Sequence, residues 1–440
     1  MIRLSNLRDA FEGIIPSVVG TVDADGIPNV SYLSHVYYVD DSHVAMSNQY
    51  FSKTIANVRS QGVATVLVLD ARTGQQYVLD LSFKEALASG PIFERMDNQL
   101  DVISELHGFG AMMKLKTADL YQVTDCRPVE PATTLEPPPP PRPRCDRLGR
   151  AAALGFAISA LDDADAILDA ALDGLRDMGF GNVMILMPDA DGKTLSTVAS
   201  RGYDRRGAGA EIAVGDGLIG RVARSRLPIR IADMRSAVRY AASAGGEGRS
   251  IPLPGLAHPQ CQMAVPMLAR GQLRGVIFAE SETSFAFDHD DEQALAVVAG
   301  QLASALLLAE MAADTAPAQD APACPEQADS GKRFRFRYFA HDDSVFIDDD
   351  YVIKGVAGRL LYHFVRCYAD SGRCEFANRE IRRETALKLP DLKDNLETRL
   401  ILLRQRLEDK QGPVRLVRPE RGQLRLLVAG RPEIEVVDGD

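Results

Sequence analysis

The chain has 440 residues, too many for a single hydrophobic core and suited to two to four domains. With 46% hydrophobic and 25% charged residues it is neither disordered nor fibrous. A formal net charge of −11 excludes any general attraction to polyanions.

The charge is uneven along the chain. Residues 1–136 carry 10 Lys/Arg against 17 Asp/Glu, residues 137–331 carry 18 against 25, and residues 332–440 carry 22 against 19. Only the C-terminal part is basic, so a polyanion partner is expected to dock there. The six cysteines (Cys126, Cys145, Cys261, Cys324, Cys367 and Cys374) form no CxxC pair, which points to reduced thiols and against a disulfide frame or a zinc site. The opening MIRLSNLRDAFEGII lacks the basic start and apolar stretch of a secretory signal. The longest apolar run, Ala294 to Ala309, is broken by Gln301 and Ser304 and falls short of the ~20 residues of a bilayer span. A cytoplasmic protein without membrane contact is expected, and no metal site.

Two stretches cannot build a core. Residues 131–145 (PATTLEPPPPPRPRC) read as a stiff proline-rich spacer, and residues 314–331 (DTAPAQDAPACPEQADSG) as a flexible linker. They leave globular segments at 1–130, 146–313 and 332–440.

The first segment reads as mostly β. SVVGTVDADGIPNVSYL holds two alternating runs around a turn, and HVYYV, HVAMS, VATVLVLD and QYVLDLSF follow as strands. Ser52 to Ser60 predicts a short helix, and Pro91 to Glu105 a longer one. The stretch SHVYYVDDSHVAMSNQYFSKTIANVRSQGVATVLVLD resembles the pyridoxamine 5'-phosphate oxidase-like, FMN-binding β split barrel family over most of residues 1–130. The resemblance implies FMN as cofactor, with Ser47, Asn48, Ser52 and Lys53 on its phosphate side and Gln76 reaching it from a neighbouring subunit. A phosphate dianion needs a cation plus neutral donors, and a helix N-terminus adds N–H groups. The alternative is that Ser52 and Lys53 only cap the helix. Ser31 or one of its neighbours stands where the oxidase has an arginine, no tryptophan is present, and the oxidase's C-terminal substrate motif is missing, so oxidation of vitamin B6 is not expected. His35, His43 and His107 have no spacing that imposes haem binding and read as solvated or hydrogen-bonded side chains.

The middle segment opens with an amphipathic helix that places Leu154, Ile158, Leu161, Ile167, Leu168, Ala171, Leu172 and Leu175 on one face, and closes with a helix from Glu292 to Glu310. GDGLIGRVA, PIRIADM and AVPM…GVIFAES resemble a GAF domain, an α+β fold. Gly215, Gly217 and Gly220 form a GxGxxG pattern, but Pro228 stops the helix too soon for a dinucleotide-binding unit, so a glycine turn feeding a short helix is expected. Phe287, Asp291 and Glu292 match half of a cyclic-nucleotide motif, yet Glu280-Ser281 replaces its Asn-Lys pair, so cyclic nucleotides are not expected ligands. Cys261 reads as a buried thiol. The GAF ligand is left open.

In the last segment FRFRYF, SVFI and YVI predict strands. Helices follow at Val356–Ala369, from Asn378, and at Leu392–Lys410, and VRLVRPERGQLRLLVAG predicts a hairpin. This order resembles the response-regulator type of winged helix, an α+β fold. Leu392, Leu396, Leu400, Leu403 and Leu407 make the third helix's core stripe. Asn395, Arg399, Arg406 and Lys410 share a flanking face, and Arg415, Arg418, Arg421 and Arg425 follow in the hairpin. These are the candidate DNA contacts, the alternative being a solvated face of a protein-docking module. No nucleophile or metal motif appears. A ligand- or redox-responsive transcriptional regulator, homodimeric through its barrel, is therefore expected. An FMN-dependent oxidoreductase regulated by its other domains, or a flavinless dimerisation platform, is the alternative.

Overall fold

The first two segments each build one sheet and the third builds two in the computed structural model, which describes residues 2–11, 16–49, 52–106, 114–130, 146–189, 191–205, 207–234, 253–315, 333–384, 396–419 and 422–437. In the first domain a short 3-10 helix (Leu4–Phe11) precedes β1 (Ser17–Val22), β2 (Pro28–Leu33), β3 (Val36–Asp40), β4 (His43–Asn48), α1 (Ser52–Gln61), β5 (Val63–Leu69), β6 (Gln76–Leu87), α2 (Pro91–Leu106) and β7 (Thr117–Pro128). The strands form one antiparallel seven-stranded sheet, ordered β2-β1-β5-β6-β7-β4-β3. Alternation drives it: Val66, Val68, Leu79 and Leu81 point into a core closed by Leu4 and Phe11. Helix α2 sets Met96 and Leu100 against Ala45 and Ala118.

The middle domain comprises α3 (Arg147–Ser159), α4 (Ala164–Asp177), β8 (Asn182–Pro188), β9 (Thr194–Arg201), β10 (Glu211–Ala213), α5 (Gly217–Ser225), β11 (Ile229–Ile231), β12 (Cys261–Ala269), β13 (Gln272–Ser281) and α6 (His289–Thr315). Its sheet runs β10-β9-β8-β13-β12-β11. Strand β8 is apolar throughout because both faces are covered. Val183, Ile185 and Met187 meet α3, α4 and α6, while Met184 and Leu186 meet the α5 side. The single opening helix expected from the sequence is two helices. Asp163 breaks it by accepting hydrogen bonds from the N–H groups of Asp165 and Ala166, as an N-cap does. Helix α6 is long and apolar enough to cross a bilayer, and its Leu295, Val298 and Leu302 form part of the domain core. The glycine motif is a turn: Gly215 has φ 105°, and a Cβ on Gly220 would lie 2.3 Å from the Ala213 carbonyl oxygen.

The C-terminal domain has β14 (Arg333–Phe339), β15 (Ser344–Ile347), β16 (Asp350–Ile353), α7 (Gly355–Ser371), β17 (Glu375–Ala377), α8 (Asn378–Arg383), α9 (Leu396–Lys410), β18 (Val414–Val417), β19 (Gln423–Val428) and β20 (Arg431–Val437). The expected hairpin is β18–β19, joined by β17 into a three-stranded sheet. Strand β20 was not anticipated; it pairs parallel with β14 and completes a four-stranded sheet. Leu396, Leu400, Leu403 and Leu407 face the domain's core as expected. The spacer at 131–145 lies outside the described residues, as does the linker beyond Thr315. One cysteine departs from expectation: Cys126, Cys261 and Cys367 are in no disulfide, whereas Cys374 is disulfide-bonded. Spacing along a chain does not report which thiols meet in space.

The domains are joined by side chains. Val102 of α2 enters the α5-side cluster of the middle domain, and Gln99 Nε2 donates to the Arg230 carbonyl at 3.1 Å. Arg221 pairs with Asp101 at 2.9 Å, and Glu292 is shared by Arg95 and Arg230. At the other seam, Ile401 of α9 is part of the middle domain's core.

Two glycines separate steric need from mere tolerance. Gly220→Ala is expected to cost about 2 kcal/mol or more, because its Cβ meets backbone. Gly300→Ala, in α6 with nothing within 4 Å of the new Cβ, should stabilise by roughly 1 kcal/mol. Thermal unfolding of the two variants checks both signs.

Candidate functional site

Of the flavin candidates, Lys53 stands exposed in the first turn of α1. Asn48, at the end of β4, is buried. Its Nδ2 donates to Thr117 Oγ1 at 2.8 Å, while its Oδ1 has no donor among the described residues. Ser47 is turned inward, where its hydroxyl accepts from the His35 N–H at 3.1 Å. The side chain of Ser52 lies outside the described residues. On β2, Ser31 Oγ lies 3.1 Å from Thr54 Oγ1, which also accepts from Asn29 Nδ2 at 3.0 Å. Neutral groups thus satisfy one another there, and Lys53 is the exposed cation among the candidates.

Gln76 is exposed at the start of β6 and is not brought to the others within one chain. Strand β7 runs from Thr117, opposite Asn48, to Pro128, opposite Tyr77. Eleven residues of strand separate those ends by roughly 35 Å. The fit to FMN is therefore distributed: Lys53 and the N–H groups opening α1 suit the phosphate, and the buried Asn48 Oδ1 suits a donor on the ligand. Of the histidines, His35 is buried, His43 bonds Asp40 at 3.0 Å, and His107 lies outside the described residues.

The residues singled out as DNA contacts have a different setting. Arg399 is 7% exposed and pairs with Asp189 of the middle domain. Arg406 Nε donates to the Val352 carbonyl at 2.8 Å, and Lys410 pairs with Asp350 at 3.4 Å. Arg418 meets Glu397 and lies 3.4 Å from Asp165 and 3.6 Å from Asp163. Arg415 is exposed, and Asn395 and Arg421 lie outside the described residues. Arg404, which no local sequence pattern marks, pairs with Asp165 at 2.8 Å. Thr398 adds a contact to Met187 Sδ at 3.7 Å. So α9 presents Arg399 and Arg404 to the middle domain rather than to solvent.

Burial sets the electrostatics of this seam. Asp165 is 4% exposed, and neither of its oxygens makes a hydrogen bond of good geometry although Arg404 and Arg418 stand at ion-pair distance. Desolvation prevails over both guanidinium groups, and the carboxyl is pushed up to about 6. In the middle domain the half-motif is absorbed by structure: Phe287 is core, Asp291 pairs with Arg147 at 2.6 Å, and Glu292 holds the first seam. Glu280 accepts from the Leu256 N–H and from Gln262 Nε2, and burial raises its carboxyl.

A family model described as pyridoxamine 5'-phosphate oxidase matches residues 5–96, and one described as GAF domain matches residues 162–307. Among solved structures, the chain is similar to an FMN-binding protein from Syntrophomonas wolfei at 18% identity, covering 29% of this chain and 86% of that one (TM-score 0.24). It is similar to the GAF domain of an Acinetobacter phosphoenolpyruvate-protein phosphotransferase at 18% identity, covering 38% and 95% (TM-score 0.32). It is also similar to a free methionine-R-sulfoxide reductase from Neisseria meningitidis, at 18% identity and covering 39% and 96% (TM-score 0.31). No curated protein matches the chain. The chain is thus a multidomain protein with an N-terminal β split-barrel-like domain of the pyridoxamine 5'-phosphate oxidase type. Its middle domain is a GAF domain.

The raised carboxyl of Asp165 has a pH signature. Its folded value of about 6 lies above the ordinary ~3.9, so the folded state takes up this proton first. The contribution of this group to stability therefore grows as pH falls from about 6 to about 4, by up to about 3 kcal/mol, and is lost as pH rises through 6. Asp165→Asn should remove that component, measured as the difference in unfolding temperature between variant and wild type across this range.

Proposed function

We propose that the chain is a cytoplasmic sensory regulator in which the flavin-type barrel and the GAF domain control a DNA-binding winged helix formed by residues 332–440. The observation that carries this is the docking of α9 on the GAF domain: Arg399 and Arg404 pair with Asp189 and Asp165, and Ile401 is sunk in that domain's core. A helix buried on that side cannot also enter a groove, so the state of the GAF domain and the availability of α9 are one equilibrium. The element order α7, β17, α8, α9 and the β18–β19 hairpin suits a helix that reads DNA and a wing that grips phosphate.

Reversing the receiving charges tests this. Asp165→Lys with Asp189→Lys sets like charges against Arg404, Arg418 and Arg399, which frees α9. The double variant should enrich a defined sequence from a random DNA pool more strongly than the wild type. A pool left unenriched by both proteins would instead favour the protein-docking role for this domain.

We further propose a homodimer that holds FMN between two barrels. The separation of Gln76 from Lys53 in one chain supports it, as does an exposed apolar stripe on the sheet: Val30 is 69% and Tyr32 75% exposed. FMN, when bound, would supply a redox-responsive group, with Lys53 against its phosphate. Wild type is expected to scatter light as a dimer and to take up FMN at micromolar protein, and Val30→Glu to give a monomer without flavin. A monomer that keeps FMN would contradict the shared site.

A further inference from the structure

A cavity of about 240 Å³ lies where the barrel meets the GAF domain, and no flavin candidate is among its described lining residues. Among the described residues three guanidinium groups line it, Arg8, Arg95 and Arg230, against one carboxylate, Glu292. Glu292 is already shared by Arg95 and Arg230, so positive charge exceeds negative among the described lining residues. Arg8 has no ion-pair partner among the described residues; its guanidinium stacks 4.4 Å from the Tyr38 ring centre, and its Nε is buried without a hydrogen bond. Asp288 and Asp290 share a separate, smaller cleft with Arg8 and His289.

His35 adds a specific demand. It is 3% exposed, it lines the cavity, and its Nε2 lies 3.2 Å from the Phe11 carbonyl oxygen. A carbonyl only accepts, so Nε2 carries the hydrogen and Nδ1 is left as a bare lone pair. That Nδ1 is buried without a partner among the described residues. Burial pushes the imidazole down to about 4, so it stays neutral and cannot fill the vacancy by protonation. The described wall of the cavity thus carries guanidinium donors, and His35 adds a buried acceptor with no donor among the described residues.

We propose that this interdomain cavity binds inorganic phosphate, as a small oxyanion that still carries an O–H at neutral pH. Guanidinium groups take its charged oxygens, and His35 Nδ1 accepts its hydroxyl. Sulfate has similar size and charge but no proton to give, so it leaves the Nδ1 lone pair buried and unmet, a costly outcome. Because Arg8 and His35 belong to the barrel and Arg230 and His289 to the GAF domain, the bound anion would tie the two domains together. The site stands apart from any role of the C-terminal domain.

Calorimetric titration of the full-length protein with phosphate and with sulfate, at pH about 7.5 and low salt, tests it. Phosphate is expected to bind about tenfold or more tightly than sulfate. Arg8→Gln should weaken phosphate by a similar factor, and His35→Gln should narrow the preference for phosphate over sulfate. Equal affinity for the two anions in the wild type, or no binding of either at millimolar concentration, would overturn the proposal whether or not the variants fold. Unchanged phosphate affinity in a folded Arg8→Gln would overturn it too.

Discussion

A carboxylate taken out of water at a domain seam must be met by a cation, and this constraint organises the molecule. Glu292, at the start of α6, is buried between Arg95 of the barrel and Arg230 of its own domain. Asp165 and Asp189 are covered by α9 and matched by Arg404, Arg418 and Arg399. Such pairs add little net stability over apolar contacts of the same size, since desolvation offsets the attraction. What they supply is fixed orientation, together with a steep cost when one partner is removed or reversed.

The two seams differ in how well they are satisfied. Glu292 is held below its usual range despite burial because two arginines outweigh desolvation. Asp165 goes the other way and sits above its usual range. The seam between barrel and GAF domain is therefore the firmer electrostatic joint, reinforced by Val102 and Gln99. The seam under α9 carries an ill-satisfied charge, which is the property expected of a contact that has to open. A signal entering the GAF domain needs only to favour one arrangement of α9 by its differential affinity for the two states.

Many single elements were legible in the sequence because each one's pattern is local. FRFRYF alternates and becomes β14 with Phe334, Phe336 and Tyr338 inward, and Ser52 to Ser60 becomes α1. The leucine stripe of α9 correctly marked its core face. What escaped was long-range. Arg399 looked like a solvent-facing base reader because Asp189, 210 residues earlier, gives no local sign of meeting it. Glu292 looked like half of a ligand motif for the same reason. Strand β20 was missed because its partner, β14, lies about 100 residues away. Asp163 was a visible N-cap signal, overridden by apolar periodicity that runs through the break.

The central claim is that α9 is held on the GAF domain by charge and released from it as a unit. Hydrogen–deuterium exchange of the α9 amides measures this without reference to any ligand. The account predicts that α9 is protected as strongly as the GAF core strands in the wild type. It also predicts that α9 loses that protection when Asp165 and Asp189 are both made lysine, while the β8 and β13 amides stay protected. Exchange of α9 that is fast in the wild type, or unaltered by the charge reversal, would contradict it.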